Sequence, residues 1–214
     1  MDNTWNEAYK QMWEDRYQAE EYAYGKEPNN FFASCLQKLK PGTLLMPADG
    51  EGRNGVFAAK SGWEVTSFDL SSAGKTKALE LAASQKVKLN YLVGDVDVLE
   101  FMPESFDAIG LIYAHFAGEK KSLFHQKLTK SLKPGGYILF EAFSKNHLSL
   151  VLQNTKVGGP KDVNQLFSTE ELAADFKGYK FLILEEAIID LNEGKYHIGK
   201  GSVVRMLAKR PINP

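Results

Sequence analysis

The chain has 214 residues, 43% hydrophobic and 25% charged, with a formal net charge of −1 at pH 7. That is enough chain for one ample core and too apolar for a disordered segment, and the balanced charge leaves no electrostatic footprint for nucleic acid or an anionic membrane. One cysteine, Cys35, excludes an internal disulfide and any cysteine-based zinc site.

The opening MDNTWNEAYK is polar and acidic, unlike a signal peptide or a mitochondrial presequence. No apolar run approaches the ~20 residues of a membrane-spanning helix. The expected setting is cytoplasmic.

Residues 5–21 are rich in aromatic and charged groups, lack Gly and Pro, and predict an amphipathic helix. YAYGKEPNN (22–30) reads as a loop, and a second helix is expected from about Asn30 to Leu39, ended by Pro41-Gly42. From Thr43 the pattern becomes regular. TLLMP predicts a strand; a glycine loop follows; RNGVFAAKS predicts a helix closed by Gly62; WEVTSFD predicts a strand. SAGKTKALELAAS reads as a helix with Ser71 or Ser72 as N-cap. VKLNYLV and FDAIGLIYA predict two more strands, followed by a charged helix at 118–131 and, after Lys133-Pro134-Gly135-Gly136, the strand YILFEAF. Strands alternating with helices argue for a parallel sheet covered on both faces. Residues 144–167 read as a long polar loop, and Ser168-Thr169-Glu170-Glu171 as a capping signal for a short helix. YKFLILEEAIIDL and GSVVRMLAKR predict an antiparallel hairpin joined by NEGKYHIGK.

The functional signal is MPADGEGRNGVFAAKSGWEVTSFDLS (46–71). It holds a G-x-G-x-x-G at Gly50, Gly52 and Gly55, and Asp69 ends the next strand. Such a loop between strand and helix permits a tight turn and a close approach to a ligand at the helix N-terminus; alternatively the glycines serve the turn alone. Charge separates two ligand readings. NAD would set a dianionic pyrophosphate beside Asp49 and Glu51, which repel it. S-adenosylmethionine (SAM) brings a sulfonium, an α-ammonium and one carboxylate, and suits an acidic loop. Asp69 serves either ligand by accepting from ribose hydroxyls. Asp95 either accepts from an adenine amino group, with a neighbouring backbone N–H such as that of Val96 on a ring nitrogen, or caps a helix at 96–101. The Y-x-x-x-K match from Tyr196 to Lys200 lies between strands, is broken by Gly199, and reads as chance rather than a hydride-transfer site.

LLMPADGEGRNG, VTSFDLS, LVGDV, FDAIGLIYAHF and SLKPGGYILFEAF, in this order and with the terminal hairpin, resemble a class I SAM-dependent methyltransferase. The resemblance implies an α/β, Rossmann-like, doubly wound, seven-stranded and mostly parallel sheet with an antiparallel terminal strand. It covers most of the chain and implies one domain over 1–214, with 1–28 as N-terminal helix and lid segment and 29–214 as core. WEDRYQAEEYAYGKEPNNFF, MPADGEGRN, QLFSTEEL and NEGKYHIGKGSVVRMLAKRP resemble, more narrowly, the tellurite-resistance and thiopurine methyltransferase branch. The sequence departs from the class pattern where an acid and a glycine usually open the loop: Met46 and Ala48 stand there, and Asp49 is the candidate replacement.

Trp13 and Tyr17 lie four apart on one helix face, which makes the N-terminal segment the lid candidate. Arg16 is the candidate for the SAM carboxylate, with an ion pair to Glu20 as the alternative; Tyr24 contacts the ligand on closure. Arg53 opposes the dipole of its helix and calls for an anion: Asp49, Glu51 or the ligand carboxylate. Asn54 contacts the ligand or caps the helix. Ala48, Asp49, Gly50, Gly52, Leu70 and Val96 complete the cofactor set with Asp69, Asp95 and Tyr113. Tyr113, His115 and Phe116 follow the fourth strand, at a carboxyl edge that lines the crevice in open α/β sheets. His115 and Tyr113 are the catalytic candidates. Tyr24, His115, Phe116, Lys161 and Tyr196 form the expected acceptor pocket. His125 reads as solvated, His147 as part of a lid or surface excursion, and Arg205 as a paired sheet residue. No metal spacing is present, so no metal is expected.

The expected function is SAM-dependent methyl transfer by in-line displacement onto a small-molecule acceptor, a thiol or metalloid being favoured, with S-adenosylhomocysteine as product. An anionic acceptor needs no strong base; a hydroxyl or ammonium does. The alternatives are a noncatalytic SAM- or nucleotide-binding sensor and an NAD-dependent oxidoreductase. No nucleic-acid or membrane partner is expected, and the sequence carries no signal for oligomeric state.

Overall fold

The computed structural model describes residues 3–212; the first two and last two positions of the expected 1–214 unit lie outside the described residues. Strands β1 (Thr43–Pro47), β2 (Glu64–Asp69), β3 (Asn90–Val93), β4 (Phe106–Ile112), β5 (Leu132–Phe143), β6 (Lys180–Glu193) and β7 (His197–Lys209) form one sheet in the order β3-β2-β1-β4-β5-β7-β6. β1 is parallel to β2 and β4, and β2 to β3, β4 to β5. β7 is antiparallel to both β5 and β6, so the reversed strand is inserted next to the rim rather than forming it. The expected α/β architecture is present.

Among the described residues seven α-helices accompany the sheet: α1 (Asn3–Gln18), α2 (Asn30–Leu36), α3 (Arg53–Lys60), α4 (Ser72–Ser84), α5 (Lys121–Thr129), α6 (His147–Gln153) and α7 (Thr169–Asp175). Strand side chains alternate between faces, so Leu44 and Met46 join a core with Phe32, Leu36 and Trp63, while Leu45 joins Ile109, Phe124 and Phe140 on the other side. Both faces are buried, which is why these strands read as near-continuous apolar runs.

Several boundaries differ from expectation. Helix α2 ends at Leu36 and is capped by Asn29, whose side chain accepts from the Phe32 N–H. The segment 144–167 is not a plain loop: it holds α6 and two 3-10 turns, Thr155–Val157 and Val163–Gln165, which sink Val151, Val157 and Leu166 against β7 and β6. The hairpin turn is only Gly194-Lys195-Tyr196, because pairing continues to Glu193↔His197. No helix spans 96–101; the Asp95 carbonyl accepts from the Val98 and Leu99 N–H groups in a single turn. Ser71 caps α4, and Ser168 with Glu171 forms the expected capping box on α7.

The C-terminal part of helix α1 is fixed to α4 by two sets of contacts. Glu14 accepts from the Ser71 hydroxyl at 2.6 Å and the Ala73 N–H at 3.2 Å, placing a carboxylate at the positive end of α4. The Lys77 ammonium donates to the Ala19 and Glu21 carbonyls, each at 2.8 Å, just beyond the end of α1. Helix α1 is thereby held over the carboxyl ends of the strands.

Candidate active site

Strand order reverses between β1 and β4, and a cavity of about 1010 Å³ opens there at the carboxyl ends of β1, β2 and β4. The glycine loop and Asp69 form one side, Asp95 lies beyond them, and Trp13, Arg16 and Tyr17 of α1 cover it. The opposite wall carries Tyr113, His115, Phe116 and Phe143, with Gly158–Lys161 and the hairpin residues Tyr196 and His197.

The structure thus brings together Trp13, Arg16, Tyr24, Ala48, Asp49, Gly50, Arg53, Asn54, Asp69, Leu70, Asp95, Val96, Tyr113, His115, Phe116, Lys161 and Tyr196. Gly52 is the exception. It stands at the start of α3 with φ 80°, and a Cβ there would come 2.5 Å from the Ala78 methyl group, so its glycine serves helix packing rather than the cavity. A Cβ on Gly50 would likewise meet the Tyr17 hydroxyl at 2.6 Å. The loop glycines answer to protein neighbours first.

The acids of the loop do different things. Glu51 accepts from the Ala23 N–H at 2.7 Å and pairs with Lys77 at 2.5 Å, so its charge is matched from outside the cavity. Asp49 accepts from the Ser67 hydroxyl at 2.7 Å and the Gly55 N–H at 3.3 Å, and burial pushes its carboxyl up to about 7. Asp69 accepts from the Gly50 and Ser71 N–H groups, each at 3.0 Å, and burial raises it to about 6. Each Asp69 oxygen keeps a further lone pair for a ligand donor. Asp95 is raised by burial as well, and the Val96 N–H donates to its carboxylate at 2.6 Å.

Arg53 finds its anion elsewhere than expected. It pairs with Glu193 at 3.0 Å, not with Asp49 or Glu51. Asn54 neither caps α3 nor is left open: its carbonyl oxygen accepts from the Asn29 N–H at 2.9 Å. Arg16 does not pair with Glu20. It donates to the Tyr24 hydroxyl at 2.7 Å and lies over the Trp13 and Tyr196 rings, 4.6 and 4.7 Å from their centres. Trp13 and Tyr17 stack at 5.5 Å, and Trp13 lies 6.5 Å from Tyr24.

Tyr113 has a positive φ of 51°, which is strained for an aromatic residue. Its N–H donates to the Glu141 carbonyl at 2.7 Å and its hydroxyl to the Glu141 carboxylate at 3.1 Å. Burial holds the hydroxyl well above its usual range. Tyr113 therefore offers the cavity an aromatic wall and not a base. Glu141 also takes Asn29 at 2.6 Å and Arg205 at 2.6 Å, so Arg205 is the paired sheet residue it was expected to be.

The four histidines part company. His125 is not solvated: it is buried, with Nδ1 2.7 Å from Asp175. His147 uses both nitrogens, Nε2 donating to the Gly158 carbonyl at 2.9 Å and Nδ1 accepting from the Ser202 N–H at 3.3 Å, and it fastens 144–167 onto β7. His115 donates from Nδ1 to the Gln165 carbonyl at 2.9 Å, and burial lowers it to about 4, so it is neutral. His197 has Nδ1 2.9 Å from Glu193. Tyr9, on α1, donates to the His115 carbonyl at 2.9 Å.

Asn29, Glu141, Glu193 and Lys77 were not singled out from sequence. Only Glu193 had a local cue, an acid and an imidazole facing each other across a three-residue turn in EGKYH. Among the described residues no group of three or more His, Cys, Asp or Glu side chains is placed to hold a metal, and no helix is long and apolar enough to cross a membrane.

Comparison with known proteins agrees with this geometry. A family model described as a methyltransferase domain matches residues 45–136, from β1 to the start of β5. The chain is 25% identical to the ubiquinone biosynthesis O-methyltransferase of Hydrogenovibrio crunogenus over 171 residues, 75% of this chain and 70% of that protein. It is 30% identical to the malonyl-[acyl-carrier protein] O-methyltransferase of Erwinia pyrifoliae over 119 residues, 54% of this chain and 44% of that one. A solved structure from work on conversion of a disulfide bond into a thioacetal group during echinomycin biosynthesis superposes with a TM-score of 0.75 at 18% identity, covering 96% of this chain and 93% of that one. The matched domain and the two methyltransferase relatives make this enzyme a methyltransferase. Its methyl donor is SAM.

Proposed function

We propose that the chain transfers the methyl group to a small molecule held between α1, the wall of Tyr113 and Phe143, and the hairpin tip. The observation that carries this reading is the cavity of about 1010 Å³, apolar and aromatic on the acceptor side and acidic beside the glycine loop. The donor set fits SAM. Asp69 accepts from the ribose hydroxyls, Asp95 from the adenine amino group, and Arg16 holds the carboxylate; Asp49 and Asp69 supply negative potential for the cationic part. Ala48, Gly50, Leu70 and Val96 support the nucleoside and amino-acid portions, and Trp13, Tyr24 and Arg53 close over them. Phe116, Lys161 and Tyr196 bound the acceptor side.

Bound SAM supplies an electrophilic methyl on a sulfonium and departs as a neutral thioether, so its departure needs no acid. The protein's part is to align the acceptor and exclude water, which at best is worth ~7–11 kcal/mol. Helix α1, held to α4 through its C-terminal part, and the segment 155–165 do the excluding.

A thiol or metalloid acceptor is supported by the narrower likeness to tellurite-resistance and thiopurine methyltransferases carried by residues 13–32 and 192–211. An oxygen acceptor is supported by the names of the two curated relatives. Incubation of the purified protein with SAM and a panel of thiols, tellurite, selenite and phenols, read as S-adenosylhomocysteine formed, tests the reading. Acceptor-dependent turnover is expected; binding of SAM without turnover on any acceptor would favour a noncatalytic sensor.

A further inference from the structure

Two histidines in the acceptor wall have their proton positions dictated by their neighbours. The Gln165 carbonyl can only accept, so His115 carries its proton on Nδ1, which donates to it across 2.9 Å. Nε2 of His115 is then a bare lone pair, buried and without a hydrogen-bond partner among the described residues. The Glu193 carboxylate, 2.9 Å from Nδ1 of His197, dictates the same tautomer there. Glu193 is itself ionised, since His197 and Arg53 hold its carboxyl down to about 2. Both rings pack against Phe143, at 5.7 Å for His115 and 5.2 Å for His197, and both line the cavity.

A buried acceptor with no donor is costly, and His115 belongs to the cavity lining. His147 has both nitrogens bonded, and the partnerless Nε2 of His125 lies among Phe140, Phe167 and Phe176, away from the cavity. Of the four, His115 and His197 are the ones that line the cavity, and in each Nδ1 is already committed, to the Gln165 carbonyl and to Glu193. Neutral imidazoles whose Nδ1–H groups are already committed offer an anionic thiolate or oxyanion no donor.

The two are not equivalent. His115 faces a carbonyl and has no carboxylate to balance a proton; burial keeps it neutral. Burial holds His197 below its ordinary value too, so it rests neutral, but Glu193 behind it opposes that effect in the arrangement that stabilises an imidazolium. Arg53, 3.0 Å from Glu193, keeps that carboxylate ionised.

We propose that the methyl acceptor is a protonated oxygen of the phenol or enol type, that His197 is its general base with Glu193 as positioning residue, and that His115 orients it through a second hydrogen bond. The proton of the acceptor O–H passes to Nε2 of His197; the freed oxygen pair forms the O–CH₃ bond; the C–S bonding pair stays on sulfur. The imidazolium is balanced by Glu193 until its proton leaves to water. This rests on the methyltransferase reading and narrows its acceptor class.

The test uses the full-length protein with ¹⁵N-labelled histidine, saturated with S-adenosylhomocysteine, and compares catechol with thiophenol as probes. In the resting protein both His115 and His197 are expected as neutral Nδ1–H tautomers. Catechol should move both Nε2 resonances toward the hydrogen-bonded value, and thiophenol should not. With SAM, methylation of catechol should fall by ~10²–10⁴-fold in His197→Gln. Glu193→Gln should fall less and also shift the His197 Nδ1 resonance, which a merely structural role would not do. An Nε2–H tautomer at either histidine, silence of both toward catechol, a response to thiophenol alone, or undiminished turnover in His197→Gln would overturn the proposal. Failure to bind S-adenosylhomocysteine, read separately by calorimetry, would instead strike the methyltransferase reading beneath it.

Discussion

Replacing Glu193 with glutamine is the sharpest test of how the hairpin is tied to the site. Glu193 bonds Arg53 at 3.0 Å and His197 at 2.9 Å, and its side chain is 16% exposed, so solvent screens the pair little. These partners lower its carboxyl from an ordinary 4.5 to about 2, against the opposing effect of burial. A fall of about 2.5, at ~1.4 kcal/mol per pH unit, corresponds to about 3 kcal/mol of folding stability at neutral pH. Because the folded state holds the carboxyl below its unfolded value, the contribution is complete above about pH 4.5 and is lost as pH falls toward 2. Urea unfolding of the wild type and Glu193→Gln from pH 7 down to pH 3.5 measures it. The wild-type advantage should be about 3 kcal/mol and flat above pH 5, then shrink with acid. An advantage below about 1 kcal/mol at pH 7, or one that does not change down to pH 3.5, would refute the reasoning that this cluster is desolvated and coupled.

Other predictions address the cofactor side. Asp49 and Asp69, raised by burial to about 7 and about 6, bind protons more tightly folded than unfolded, so ligand-free stability should fall as pH rises from about 4 to 7. A cationic ligand favours their ionised forms, so SAM binding should release protons and tighten across the same window; calorimetry in buffers of different ionisation enthalpy reads this, and proton uptake would contradict it. Arg16→Ala should weaken SAM binding by at least tenfold in calorimetry, as loss of a charge-assisted contact requires; unchanged affinity would remove Arg16 from the carboxylate. Ser168→Ala breaks the capping box of α7 and should cost about 1 kcal/mol in thermal unfolding with SAM affinity unchanged.

What was legible in the sequence was local. TLLMP, the glycine loop, Asp69 and the capping signals each declare themselves within a few residues, and the cavity forms where those pieces meet. What was not legible depends on distant partners. Arg53 asked for an anion, but its partner Glu193 lies 140 positions away, in a segment that read as the loop of the hairpin. His125 sits in a charged stretch and read as solvated; its partner Asp175 is 50 positions on, and α7 covers it. Asn29 looked like a loop residue, yet it caps α2 and donates to Glu141. The loop acids were read as one charge, whereas Lys77, a residue of an ordinary helix, removes Glu51 from that sum. The polar run 144–167 hid α6 because its buried residues are too few and too short in span to show a helical period.

The most direct test of the central claim is calorimetry of the purified protein against SAM, S-adenosylhomocysteine and NADH. Above pH 7 both adenosyl ligands should bind and NADH should be silent, because the Asp49 carboxylate then holds negative charge beside the loop where a pyrophosphate would lie. Binding of NADH alone would contradict the account and, with it, the roles assigned to Arg16, Asp69 and Asp95.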